Sequence, residues 1–108
     1  PEGIMENFRT LNLALTFHEE CQKMTFANYV LKNQFDRALL SISLNLAEGA
    51  GRLSANDKRR FYSIALGSLK EVQCLLKIMN ETEKIKKSAH LHNSIVKLIR
   101  NPGAFKTP

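Results

Sequence analysis

The densest group of residues able to do chemistry runs from Arg52 to Arg60, where Arg52, Lys58, Arg59 and Arg60 crowd around Ser54 and Asp57. Ser54 is a good helix N-cap. Asp57, three residues on, takes the capping-box place one methylene short of the usual Glu, so a helix begins here. The first amides of that helix are unpaired and favour an anion such as phosphate. Cations in the first turn oppose the helix dipole at a cost of about 0.3–1 kcal/mol each, which a bound phosphate would offset. The alternative is a solvated basic turn partly balanced by Asp57. A second basic group, Lys84, Lys86, Lys87, Lys97, Arg100 and Lys106, runs to the end of the chain with no acid among it.

Other chemistries find no support in the spacing. His90 and His92 are two apart and point to opposite sides of a helix, and His18 and Cys21 share a face without a second ligand pair, so no metal site is expected. No Glu stands three residues before a histidine, as a di-iron bundle would need. Gly49-Ala50-Gly51 follows a helix and not a strand, and Ser54 occupies the third glycine position, so it is no dinucleotide turn. No nucleophile has a placed base, and no catalysis and no cofactor are expected. Cys21 and Cys74 are read as buried thiols in a reducing cytoplasm. Arg37, Ser41, Asn45 and Glu48, spaced four, four and three, line one helix edge as a structural polar seam that sets packing register.

These residues need long helices to carry them. Apolar spacing predicts an all-α, antiparallel up-down four-helix bundle with helices at about residues 4–24, 27–48, 55–80 and 82–100. Phe8, Leu11 and Leu15 are the expected stripe of the first helix, broadened by Leu13, Phe17, Cys21 and Met24. Leu31, Phe35, Ala38, Leu39, Ile42 and Leu46 are that of the second, with Leu40, Leu44 and Ala47 as an additional apolar face suited to another subunit. Ser63 and Gly67 suggest a close helix approach on the third. Gly49 and Gly51 mark the stop of the second helix, and Asn101-Pro102-Gly103 that of the fourth. Residues 1–108 read as one domain with flexible ends at 1–3 and 102–108. The 44% apolar content suits a compact protein, and no run approaches the roughly 20 residues of a membrane span or resembles a signal peptide. The net charge of +6 favours an anionic partner.

Gln34-x-x-Arg37-Ala38, then Ser41-Ile42-x-x-Asn45-x-Ala47-Glu48-Gly49, then Ile64-Ala65-x-Gly67-Ser68-Leu69-x-Glu71 resembles the bacterial four-helix-bundle family of 23S ribosomal RNA intervening-sequence proteins. The likeness covers the second and third helices. Phe26 stands where a Pro often opens the second. The resemblance implies a non-catalytic homopentamer that binds RNA. It also extends to the accessory variability protein of diversity-generating retroelements, which works with a reverse transcriptase.

Three readings follow. The first is a non-catalytic, basic, oligomeric nucleic-acid binding protein, RNA above all, that holds phosphates through Arg52, Lys58, Arg59, Arg60, Lys84, Lys86 and Lys87. The second is a protein-interaction scaffold or accessory subunit of a reverse transcriptase. The third, a DNA-binding helix-turn-helix at Gly49–Ser54, fits worst because its flanking helices are too long.

Overall fold

In the computed structural model, which describes residues 2–103 (side chains from Glu6 onward), four helices follow one another: α1 Glu2–Cys21, α2 Tyr29–Ala50, α3 Ala55–Ile78 and α4 Thr82–Arg100. No strand occurs among the described residues. Side-by-side contacts join α1 to α2, α2 to α3, α3 to α4 and α4 back to α1, so the four enclose one core. Phe17, Phe35, Leu39, Ile42, Leu46, Tyr62, Leu69, Leu76, Leu91, Ile95 and Leu98 fill it. Burying each large side chain of this kind stabilises the fold by roughly 1.5–3 kcal/mol.

The helix ends show local causes. α1 stops at Cys21, three residues before the expected Met24, and α2 waits until Tyr29 because Asn28 caps it, its Oδ1 accepting from the Leu31 amide at 2.9 Å. Ser54 caps α3 as expected, its Oγ accepting from the Asp57 amide at 3.1 Å. Asn80 closes α3 with a φ of 58°, a left-handed conformation that Asn tolerates. Pro102 is buried, so the chain stays on the body past the end of α4, and α1 already includes Glu2 and Gly3. Of the end stretches 1–3 and 102–108, residues 1 and 104–108 lie outside the described residues.

Gly49 is not a stop signal. α2 runs through it to Ala50, and the reason for glycine is packing: a Cβ there would lie 2.6 Å from Tyr62 Cε1 and 2.9 Å from Cδ1. Gly67 is the reverse case. A Cβ there would meet nothing within 4 Å among the described residues, and Ser63 is likewise exposed, so the expected close helix approach is not made within this chain's described residues.

α1 is also rotated from its expected setting. Its inward line is Asn7, Thr10, Ala14, Phe17 and Cys21, while Phe8 and Leu15 remain 64% and 50% exposed. Polar partners explain the rotation, since Thr10 and Ser94 hydroxyls meet at 2.6 Å and Tyr62 donates to Asn7 Oδ1 at 2.8 Å. Both bonds lie inside the body, where an unpaired polar group would cost about 1–3 kcal/mol. Cys74 is exposed, contrary to expectation, and Cys21 is buried.

Candidate nucleic-acid interface

The polar seam of α2 forms as a set of bonds to itself and to α3. Asn45 Nδ2 donates to the Ser41 carbonyl at 2.9 Å and to Ser41 Oγ at 3.1 Å, and the Ser41 and Ser68 hydroxyls meet at 2.8 Å. Arg37 donates to Gln34 Oε1 at 2.8 Å and comes within 3.9 Å of Glu71. Glu48 turns away from this line to pair with Arg52 at 3.3 Å. Of these contacts, the Ser41–Ser68 hydrogen bond and the Arg37–Glu71 pair cross from α2 to α3.

The basic turn is put to a use that the sequence did not disclose. Lys58 is only 3% exposed, and its ammonium donates to the Ala50 carbonyl at 2.9 Å and the Gly49 carbonyl at 3.4 Å. Arg59 Nε donates to the Ile99 carbonyl at 2.9 Å, and its Nη1 to Asn56 Oδ1 at 3.2 Å. Both cations therefore cap the carbonyl ends of neighbouring helices, Lys58 on α2 and Arg59 on α4. The negative charge that seemed missing at the start of α3 is supplied by those two carbonyl ends. This corrects the assignment of Lys58 to a phosphate-binding surface. Burial draws its ammonium pKa below the ordinary lysine range.

Arg52 and Arg60 remain at the corner. Each guanidinium carbon lies 4.7 Å from the Phe61 ring centroid, within cation–π range. Arg60 is exposed and makes no ion pair among the described residues. Lys84, Lys86 and Lys87 lie at the other end of α3 and α4 and point in different directions. Lys84 is half-buried beside Cys21, Lys86 faces outward, and Lys87 pairs with Glu20 at 3.0 Å. The Glu20 carboxylate raises the Lys87 ammonium pKa above its usual range. Burial pushes the Cys21 thiol up to about 12, with Lys84 acting in the opposite sense.

The structure thus separates the two expected basic groups and joins them by lysines that sequence reasoning passed over. Arg60, Ser63, Gly67, Lys70, Cys74 and Lys77 are all exposed at alternating three- and four-residue steps, a single outer line on α3. On α4 the same step carries Lys86, His90, Asn93, Lys97 and Arg100. At 1.5 Å per residue, Arg60 to Lys77 spans about 25 Å. A wheel drawn for outward positions would have found Lys70 and Lys77; attention to local clusters hid them.

Charge is divided between the halves of the body. α3 has five cations against Asp57 and Glu71, and α4 has five against Glu83. α1 has four acids against Arg9, and α2 is balanced, Lys32 and Arg37 against Asp36 and Glu48. The α1–α2 side is apolar as well, with Phe8, Leu15, Leu40 and Leu44 each at least half exposed. Beside it a cavity of about 340 Å³ is lined by His18, Gln22, Phe26, Lys32, Asp36 and Leu40.

No metal-holding cluster of His, Cys, Asp or Glu occurs among the described residues, and no described helix is long and apolar enough to cross a membrane. Four helices about one core, basic along α3 and α4 and apolar along α1 and α2, define a small basic all-helical protein. A family model described as 23S rRNA-intervening sequence protein matches residues 6–101, and the chain belongs to that family. No curated protein and no solved structure matches it. Of the signature positions, Arg37 with Glu71, Ser41 with Ser68, and Gly49 bond or pack α2 against α3, while Asn45 bonds Ser41 within α2.

Proposed function

We propose that this protein binds RNA through phosphate contacts, as a homo-oligomer in the cytoplasm and without catalysing a reaction. The observation that carries the reading is the concentration on α3 and α4 of exposed cations without an ion pair among the described residues: Arg60, Lys70, Lys77, Lys86, Lys97 and Arg100. Cations at these positions neutralise phosphates without reading sequence, so binding is steeply salt-dependent. Membership of the family supports RNA as the polyanion.

The helices run alternately up and down in this reading. Arg37 opposite Glu71, Ser41 opposite Ser68 and Gly49 over Tyr62 support it, because α3 numbers fall as α2 numbers rise. The α1–α2 face then lies across the body from the basic face. Leu15, Leu40 and Leu44 supply the surface for self-association, the pentamer implied by the family resemblance, while α3 and α4 stay open to RNA. The same apolar face favours a second reading, an accessory subunit docked on a reverse transcriptase.

Filter binding of a structured RNA over a range of salt tests the proposal. Tight binding at low salt that weakens steeply as salt rises supports it. No binding at low salt, or binding indifferent to salt, refutes it. Retention of a polymerase after nuclease treatment would favour the second reading.

A further inference from the structure

We propose that the corner between α2 and α3 stacks an unpaired base on a guanidinium plane, so that the protein prefers single-stranded to duplex RNA. This inference rests on the RNA-binding reading above.

The corner is built differently from the rest of the basic face. Lys70, Lys77, Lys86 and Lys97 offer compact point charges, which meet the phosphates of either form of RNA. Arg52 and Arg60 offer planar guanidinium groups, and both are anchored at one ring. Their guanidinium carbons lie 4.7 Å from the centroid of Phe61. Phe61 is itself fixed from behind, because its Cβ packs closely against α2 at Gly49. Arg52 is further held by Glu48 at 3.3 Å, while its Nε is covered and has no hydrogen-bond acceptor. Ring contact therefore contributes to holding that side chain in place.

A guanidinium anchored on a ring from one side can still take a stacking partner on its exposed side. Arg60 is exposed and has no carboxylate partner among the described residues, and Leu53 beside Arg52 is 71% exposed, which adds an apolar surface at the same corner. Aromatic rings and guanidinium planes are the platforms on which proteins stack splayed-out RNA bases. Bases inside a duplex are already stacked on one another and present only edges. A corner of this kind therefore adds affinity for unpaired nucleotides that the lysine lines do not.

The test compares a fully unpaired oligoribonucleotide with a blunt duplex of the same length, at one salt concentration, for the parent and for Arg60→Lys. Lysine keeps the charge and loses the plane. The parent should favour the unpaired strand, and Arg60→Lys should lower single-strand affinity about tenfold more than duplex affinity, the scale of one lost base stack. Lys86→Ala, which removes a point charge, should lower both to a similar extent. If the parent shows no preference, or if Arg60→Lys lowers both affinities equally, the stacking site is refuted while RNA binding stands. If neither RNA binds, both the inference and the reading beneath it fall. Helical circular dichroism of the exposed-site variants verifies that they are folded.

Discussion

The Lys58 ammonium lies 2.9 Å from the carbonyl oxygen of Ala50, at the last residue of α2. A cation in the first turn of α3 thus closes the helix before it. Lys58→Ala would leave the Gly49 and Ala50 carbonyls without this donor inside a tightly packed corner. A charged hydrogen bond of this kind contributes roughly 1.5–3 kcal/mol, so the variant should lose stability on that scale in urea unfolding. Arg60→Ala, on the exposed line, should change stability by less than about 0.5 kcal/mol. Equal stability of Lys58→Ala and the parent would contradict the capping role.

Two glycines should respond to alanine in opposite directions. Gly49→Ala places a methyl 2.6 Å from Tyr62 Cε1, in the buried contact between α2 and α3, and should destabilise by about 1–3 kcal/mol despite better helix propensity. Gly67→Ala meets nothing within 4 Å and should stabilise α3 by about 0.5–1 kcal/mol. Thermal unfolding of the two variants checks both signs.

Alkaline pH should unfold the protein early. Burial pushes the Tyr62 phenol from 10.0 and the Cys21 thiol from 9.0, each up to about 12. Both folded-state pKa values lie above the unfolded ones, so the folded state holds these protons longer. Their contribution is intact below pH 9 and is lost as pH rises from about 9 to about 12, on the order of 3 kcal/mol for each group. Urea midpoints measured across that range should fall, and Tyr62→Phe should flatten the fall between pH 10 and 12. An undiminished slope in Tyr62→Phe would rule out this phenol as a source.

Self-association should depend on the α1–α2 face. Leu15, Leu40 and Leu44 are 50%, 50% and 59% exposed, which leaves their apolar surface in water in a lone chain. Leu40→Lys with Leu44→Lys should convert the oligomer to a folded 12.3 kDa monomer by light scattering. A parent that is already monomeric at micromolar concentration, or a double variant that keeps its size, would place the contact elsewhere or remove it.

Four helices could be read from apolar spacing because their stripes are long and ends such as Ser54 and Asn101 are marked; the end of α1, with neither Gly nor Pro at Met24-Thr25-Phe26, is not. The rotation of α1 could not be read. Phe8 and Leu15 are among its large apolar residues, yet Asn7 and Thr10 turn inward in their place because Tyr62 and Ser94 offer them partners from distant parts of the chain. Periodicity ranks residues by apolarity and has no access to such pairings. The seam through Ser41 and Asn45 was legible because its spacing alone stacks the side chains. The roles of Lys58 and Arg59 were not, since the carbonyls they bind belong to helix ends that only tertiary packing brings near. Local charge density drew attention to a corner where half the cations are structural. The exposed lines of α3 and α4 emerged only once outward positions were known.

The most direct test of the central claim is the salt dependence of RNA binding by the parent and by the quadruple variant Lys70→Ala, Lys77→Ala, Lys86→Ala, Lys97→Ala. Each single-strand phosphate contact contributes about 0.7 to the slope of log affinity against log salt, so loss of four should reduce the slope by about 3 and weaken binding at low salt. A quadruple variant with the parent's slope and affinity would show that the outer lines of α3 and α4 do not carry RNA.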